Sequence, residues 1–260
     1  MDYGTVIVER KGRVGLITLN RPAQLNTFTA QLAHDLNDAL RELDRDPEIR
    51  AVVLKSNGKA FCAGIDVREM SGKDIVELRT WVRAMDEHNL TIASMKKPVI
   101  AAVHGAAVAN GAGLVAACDL AIASEDARFG TTAINIGLFC FGPSAPLARS
   151  VARKRSLKLL LTGDIIPAVE AERIGLVNDV VPREELEETA MELASKLASK
   201  SPVALQMGKT AFYKMSDMGY EDSLAYLGEM FSIIISTEDG REGAAAFLGK
   251  REPRWAKESS

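Results

Sequence analysis

Cysteine is scarce: Cys62, Cys118 and Cys140 are the only three in 260 residues, and they sit far apart. Three thiols cannot pair completely, and no CxxC or Cys/His cluster is present. Neither a disulfide framework nor a zinc site is expected, and reduced thiols in a cytoplasmic compartment fit this usage. An excess of positive charge is missing too. Thirty-two Lys and Arg stand against 35 Asp and Glu, a net charge of −3, which argues against a dedicated nucleic-acid binder. The longest apolar stretch, Val99 to Ala109, is interrupted by His104-Gly105 and falls short of the roughly 20 residues a membrane span requires. The opening segment, MDYGTVIVERKGR, starts acidic and lacks the basic-then-apolar order of a secretory leader. What is left has the proportions of a soluble globular chain, 47% hydrophobic and 26% charged. A chain of this length buries roughly three quarters of its unfolded surface without a covalent staple.

Patterning assigns an α/β class. Thr5–Val8 and Val14–Leu19 flank the turn pair Lys11-Gly12 and read as a β-hairpin, ended by Asn20-Arg21-Pro22. Leu32, Leu36, Leu40 and Leu43 recur at steps of three and four, marking a helix over Thr29–Leu43. Buried strands are expected at Ala51–Leu54, Val99–Val103 and Asp119–Ala123, with a helix over Asp74–Met95. Beyond Pro182 the character changes. Glutamates 184, 185, 187 and 188 precede Lys196 and Lys200, the order that suits a helix dipole. Ser201-Pro202 is a helix start, and two further helices follow over Tyr220–Ile235 and Thr237–Leu248. The chain divides into an α/β core, residues 1–195, and a helical C-terminal region, residues 196–260. The run Met230 to Ile235 is too apolar to leave in water and either covers the core or joins subunits.

Two small-residue loops, Phe61–Asp66 and Gly105–Gly113, each follow a strand and precede a helix. Two readings stay open. Such runs often only let helix and sheet touch, but unpaired N–H groups at facing strand-to-helix turns also hold an anion or a developing oxyanion. Gly111-Ala112-Gly113 is not a dinucleotide fingerprint, because the third glycine and the following acidic partner are missing.

At these loops the sequence resembles the crotonase (enoyl-CoA hydratase/isomerase) superfamily. The matching segments run in order through nearly the whole chain. They are Leu19–Pro22 with Leu25-Asn26, Lys59–Asp66, Lys97–Gly105, Cys118–Ala123, Ala127–Gly130, Leu161–Gly163, and Ala171 through Gly175–Val177. Within the superfamily, Asn135–Cys140, Phe212–Lys214 and Asp239-Gly240 to Trp255 are similar to the enoyl-CoA hydratase domain-containing 3 subgroup. The resemblance implies a crotonase-like spiral of ββα units and a C-terminal helical trimerisation region, giving homotrimers or hexamers. It implies no cofactor beyond coenzyme A as part of an acyl-CoA thioester substrate, while the charge balance and the short apolar runs point to no nucleic-acid and no membrane partner. The thioester oxygen would be held by the backbone N–H groups of Ile65 and Asn110. The second position is usually glycine, and asparagine there is a departure that left-handed backbone tolerates. Ala23, Gln24, Leu25, Lys59, Ala63, Ile65 and Val67 would contact coenzyme A, and Lys250 would reach the phosphates of a neighbouring subunit's ligand.

The proton-transfer positions depart from the family. Its hydratases use two glutamates as acid and base, and the matching positions here are Gly113 and Ala133. The aspartate used by related isomerases falls on Phe141. A positioned acid or base is worth roughly 10²–10⁴-fold, so crotonyl-CoA hydration is expected to be weak or absent. The alternatives are a catalytically silent acyl-CoA binder and a decarboxylase or thioesterase, reactions in which enolate or oxyanion stabilisation dominates. Cys140 is weighed as a nucleophile against a buried structural thiol. His88 lies near a region from which one relative draws a catalytic histidine, though out of register with it. His104 reads as a packed, hydrogen-bonded histidine. Glu69 and Glu87 read as solvated helix faces, Asp66 as a helix cap, and Thr131, Thr132 and Asn135 as groups able to place a water.

Overall fold

The computed structural model describes residues 3–255. Met1 and Asp2 of the opening segment, and residues 256–260, lie outside the described residues. The hairpin forms from β1 (Val6–Lys11) and β2 (Val14–Leu19). Beyond it the chain repeats one unit. β3 (Ala51–Ser56) and β4 (Ala60–Cys62) precede α2 (Ile75–Ser94), after α1 (Ala30–Arg45) has led in from the hairpin. β5 (Val99–Val103) and β6 (Ala106–Val108) precede α3 (Asn110–Ala117), and β7 (Leu120–Ser124) and β8 (Arg128–Gly130) precede α4 (Phe141–Ser150). Then come α5 (Arg153–Thr162), β9 (Ile165–Pro167), α6 (Ala168–Arg173) and β10 (Asp179–Val181). Each turn gives one strand to each of two sheets, ordered β1-β2-β3-β5-β7-β10 and β4-β6-β8-β9. Beyond the hairpin the larger sheet is parallel, and β4, β6 and β8 are parallel in the smaller one. This is the ββα spiral that the resemblance implied.

The smaller sheet is the main departure from the sequence reading, which took residues 61–66 and 105–113 as loops. Strands of three small residues carry no period for a pattern to reveal. The step from β5 to β6 needs glycine twice over. Gly105 has φ +57°, and a β-carbon there would overlap the Lys59 carbonyl oxygen.

Burial explains the helices. Leu32, Leu36, Leu40 and Leu43 of α1 are wholly buried, and the Thr29 hydroxyl accepts from Leu32 N at 3.2 Å as N-cap. The carbonyl end of α1 is closed from outside the helix. The buried Lys97 ammonium donates to Leu43 O at 2.7 Å and also to Asp46 O. α2 starts on a reciprocal capping box between Asp74 and Glu77. α7 (Leu186–Ala198) lays Leu186, Ala190 and Ala194 on the outer face of the larger sheet, against Val14, Val53, Ile100 and Ile122.

The last helices are α8 (Pro202–Met215), α9 (Tyr220–Ser236) and α10 (Glu238–Leu248). α8 is tied to the sheet through one carboxylate. Asp119 accepts from Val99 N and Lys209 Nζ, both at 2.7 Å, and from Tyr213 OH at 3.0 Å. Lys209 also donates to Lys97 O at 3.0 Å. α9 and α10 leave large apolar side chains in solvent, Phe231, Ile233, Ile235, Phe247 and Leu248 among them.

His88 gives the fold a pH dependence. It is buried on α2 with its ring 5.2 Å from that of Phe28, and loss of hydration pushes its pKa down to about 4. The unfolded chain takes up this proton near pH 6.5, whereas the folded chain refuses it until about pH 4. Between those values the unfolded state binds more protons, so stability present above pH 6.5 falls with acidification, by on the order of 3 kcal/mol. Urea melts from pH 7 to pH 4 should show this loss in the wild type, and a His88→Leu variant should lack that component.

Candidate active site

The C-terminal ends of β4, β6 and β8 lie side by side, and the segments leaving them build the site. Coming off β4, Phe28 N donates to Gly64 O at 2.8 Å and Asp66 N donates to Phe28 O at 2.7 Å. Successive amides of extended backbone point to opposite sides, so these bonds turn the Ile65 N–H away from Phe28. Coming off β6, Asn110 is the first residue of α3, where N–H groups have no acceptor within the helix. Among the described residues, neither the Ile65 nor the Asn110 amide has an acceptor.

Glycines bring the two segments together. A β-carbon on Gly64 would lie 2.9 Å from Ala109 Cβ and 4.0 Å from Asn110 N, and one on Gly111 would overlap the Cys62 carbonyl oxygen. The left-handed residue here is Ala109, with φ +49° and ψ −118°, rather than Asn110 as the sequence reading supposed. The turn that aims the Asn110 amide falls one residue earlier than its donor. Strain of this kind costs about 1–3 kcal/mol and persists where its surroundings hold it. Here Ala109 N donates to Gly130 O at 2.8 Å, and Ala109 O accepts from Gly113 N at 3.1 Å. Two unpaired amides at adjacent strand ends are suited to a carbonyl oxygen that gains negative charge.

Most of the expected coenzyme A positions gather beside this pair. Ala23, Gln24 and Leu25 are exposed on a turn held by the buried Asn26 (φ +53°). Its Oδ1 accepts from Arg21 N at 2.8 Å, and its Nδ2 donates to Asn57 O and Ala60 O at 2.9 Å. Ala63 N donates to Leu25 O at 3.0 Å. Leu25 and Val67 stay 43% and 48% exposed, an apolar rim at the mouth, and Lys59 is exposed beside them. Lys250 is not brought here. It follows α10, which packs on α8 and α9, and among the described residues no hydrogen bond or ion pair joins it to the two loops.

The three positions that the resemblance matched to acid–base residues have distinct surroundings. Gly113 is buried against α4, where an added β-carbon would meet Pro143 Cβ at 2.8 Å and Pro143 Cα at 2.9 Å. Ala133 is half-buried in the 3-10 turn Thr132–Ile136. Phe141 is 77% exposed, its ring 4.9 Å from Phe139, and with the exposed Ile136 and Leu138 it forms a second apolar edge.

The other candidates resolve into structure. Burial pushes the Cys140 thiol up, away from the thiolate a nucleophile needs, and pushes Cys62 up to about 12. His104 is the packed histidine expected, its Nε2 3.0 Å from Gly58 O. Glu69 is not solvated, because its Oε2 accepts from Ala30 N and Trp81 Nε1 at 2.9 Å. Glu87 pairs with Arg41. Asp66 caps the 3-10 turn Val67–Met70, and its hydrogen bonds from Arg68 hold its carboxyl below the usual range. Asn135 Nδ2 donates to Gly163 O at 3.3 Å. Thr131, directly after β8, keeps a buried hydroxyl without a partner among the described residues.

One carboxylate was missed. Asp86 of α2 lies against Gly142 in the first turn of α4, so close that a β-carbon on that glycine would overlap its carboxyl oxygens. It has no hydrogen-bond or ion-pair partner among the described residues, and burial raises its pKa. No local spacing marks it, because the contact joins residues 56 apart.

The geometry has a counterpart in known proteins. The family model for enoyl-CoA hydratase/isomerase matches residues 9–258. The "Probable enoyl-CoA hydratase" of Rhizobium meliloti (strain 1021) is 42% identical over 259 residues, covering 97% of this chain and 98% of that protein. The crystal structure of an enoyl-CoA hydratase from Mycobacterium smegmatis superposes with a TM-score of 0.93 at 38% identity, covering 96% of this chain and 98% of that one. Human enoyl-CoA hydratase domain-containing protein 3 gives the same TM-score at 32% identity, covering 96% and 100%. With two strand ends presenting paired amides, the ββα spiral around them and a match along nearly its whole length, the chain belongs to the enoyl-CoA hydratase/isomerase family.

Proposed function

We propose that the protein binds an acyl-CoA thioester, holds its carbonyl oxygen between the amides of Ile65 and Asn110, and hydrates crotonyl-CoA weakly or not at all. The observation that carries this reading is the pair of unpartnered amides at adjacent strand ends, together with non-carboxylate residues at 113, 133 and 141. One oxyanion donor is worth about 10²–10³-fold, so the hole by itself polarises a thioester. The coenzyme A portion lies along Ala23–Leu25, Lys59, Ala63 and Val67, and the acyl chain enters between the apolar edges around Val67 and Phe141. Lys250 acts across a subunit boundary on a neighbour's ligand.

A second reading within the family is a decarboxylase or thioesterase, favoured by the same intact hole beside vacated hydratase positions. A silent binder is the limiting case. Residues 196–260 form the assembly region of a trimer or hexamer, supported by Phe231 and Ile235, one turn apart on α9 and exposed, with Ile233 exposed as well. The segments Asn135–Cys140, Phe212–Lys214 and Asp239–Trp255 support placing the chain beside the enoyl-CoA hydratase domain-containing 3 subgroup. No helix among the described residues is long and apolar enough to cross a membrane, and three buried free thiols favour a reducing, cytoplasmic compartment.

Three measurements check this reading. In a thermal-shift panel of acyl-CoA thioesters, at least one ligand raises Tm by several degrees while crotonyl-CoA hydration stays near background. No shift with any thioester, or rapid hydration, contradicts it. Gly113→Glu introduces a side chain against the Pro143 backbone, so it lowers stability by about 1–3 kcal/mol and restores no hydration while Pro143 remains. Light scattering at micromolar concentration gives a trimer or its multiple, and a monomer excludes the proposed assembly role.

A further inference from the structure

We infer that Asp86 is the acid–base group of this site, exchanging a proton with the α-carbon of the bound acyl group. The inference rests on the acyl-CoA reading above and assigns the chemistry that the family's vacated positions leave open.

The placement comes through α3 and α4. Gly113 sits one turn into α3 from the Asn110 amide, with Pro143 of α4 filling the space a side chain would take. The preceding residue on α4, Gly142, is the one that Asp86 touches. The carboxyl therefore comes from α2 onto the turn of α4 that carries Pro143, the residue filling the space a side chain at 113 would take, and Phe141 adjoins Gly142 in sequence. Gly142 leaves the room, since any side chain there would displace the carboxylate.

The ordinary roles of a half-buried aspartate do not apply. An ion pair would place a cation beside it, and among the described residues there is none. Arg83 and Glu87 lie on its own helix, Glu87 paired with Arg41, and on the helices packed against α2 Arg149 pairs with Asp217 and Lys209 with Asp119; among the described residues no ion pair joins any of them to Asp86. A cap on α4 would accept from that helix's first amides and so hold its carboxyl below the usual range, whereas burial alone raises it. Phe141 N, at the start of α4, donates instead to Phe139 O at 2.9 Å. Keeping a carboxylate partly dehydrated without a partner is destabilising, and such groups concentrate where protons are exchanged.

The chemistry balances with one carboxylate. The Asp86 carboxylate takes the α-proton, and the C–H electron pair moves into the thioester carbonyl to give an enolate. The enolate oxygen sits on the Ile65 and Asn110 amides. Asp86, now a carboxylic acid, exchanges its proton with solvent and returns one to the α-carbon. No second side chain and no redox partner is required, whereas adding water across a double bond draws on two positioned groups in the family's hydratases.

The test incubates the full-length protein in D2O with butyryl-, octanoyl- and palmitoyl-CoA and follows α-deuterium by mass spectrometry, with Tm shift reporting binding separately. The wild type is expected to incorporate deuterium into the thioester it binds. Asp86→Asn should keep the Tm shift and lose exchange by about 10²–10⁴-fold. Gly142→Ala, which leaves the carboxyl in place chemically but pushes it aside, should also lose exchange and keep binding. A wild type that binds without exchange, or variants that exchange at the wild-type rate, overturns the assignment to Asp86 while leaving the binding proposal standing. Absence of any thioester-induced shift refutes both.

Discussion

The site depends on how closely two strand ends approach. Gly111 rests on the Cys62 carbonyl and Gly64 on the Ala109 methyl, so no side chain larger than a methyl stands between the two segments. At this separation the unpaired amides after β4 and β6 lie on neighbouring segments. The parallel pairing of β4 with β6 sets the distance. The strained Ala109, bonded to Gly130 of the next strand, sets the direction. Preorganisation of this kind is what an oxyanion site requires, because donors already in place need no reorganisation as charge develops.

A grip made of main chain is indifferent to side-chain identity, which lets the chemistry above it change. Asparagine at 110 leaves the amide intact. At 113 the packing itself requires glycine, since Pro143 of α4 lies where a β-carbon would go and the α3–α4 contact excludes any larger residue there. The same helix pair leaves an opening at Gly142, and the carboxylate that fills it comes from α2.

Legibility in the sequence followed periodicity. The leucine stripe of α1 and the strand Val99–Val103 were both visible in residue order, as was the cap Ser201, because each is a local pattern. The smaller sheet was not visible, since three-residue strands such as Ala106–Val108 leave no repeat to count. Motif positions pointed to Ile65 and Asn110, whose amides are without acceptors among the described residues, and to the turn held by Asn26. The left-handed residue was misplaced by one because tolerance of positive φ was weighed at Asn110, while the strand-to-helix turn demanded it of Ala109. Glu69 read as a solvated acid because its partners Ala30 and Trp81 are far from it in sequence. Asp86 and the Gly113–Pro143 contact escaped for the same reason.

The carboxylate of Asp119 has a consequence for synthesis. It sits at the entry to β7, and two of its partners, Lys209 and Tyr213, are on α8, about ninety residues further along the chain. While the ribosome has yet to deliver α8, the nascent spiral carries a charge without its counter-ion, and the Lys97 carbonyl lacks the Lys209 ammonium that donates to it. A half-made chain is therefore short of the interactions that join its first helix to its last third. Completion of the native state waits for translation to pass residue 213.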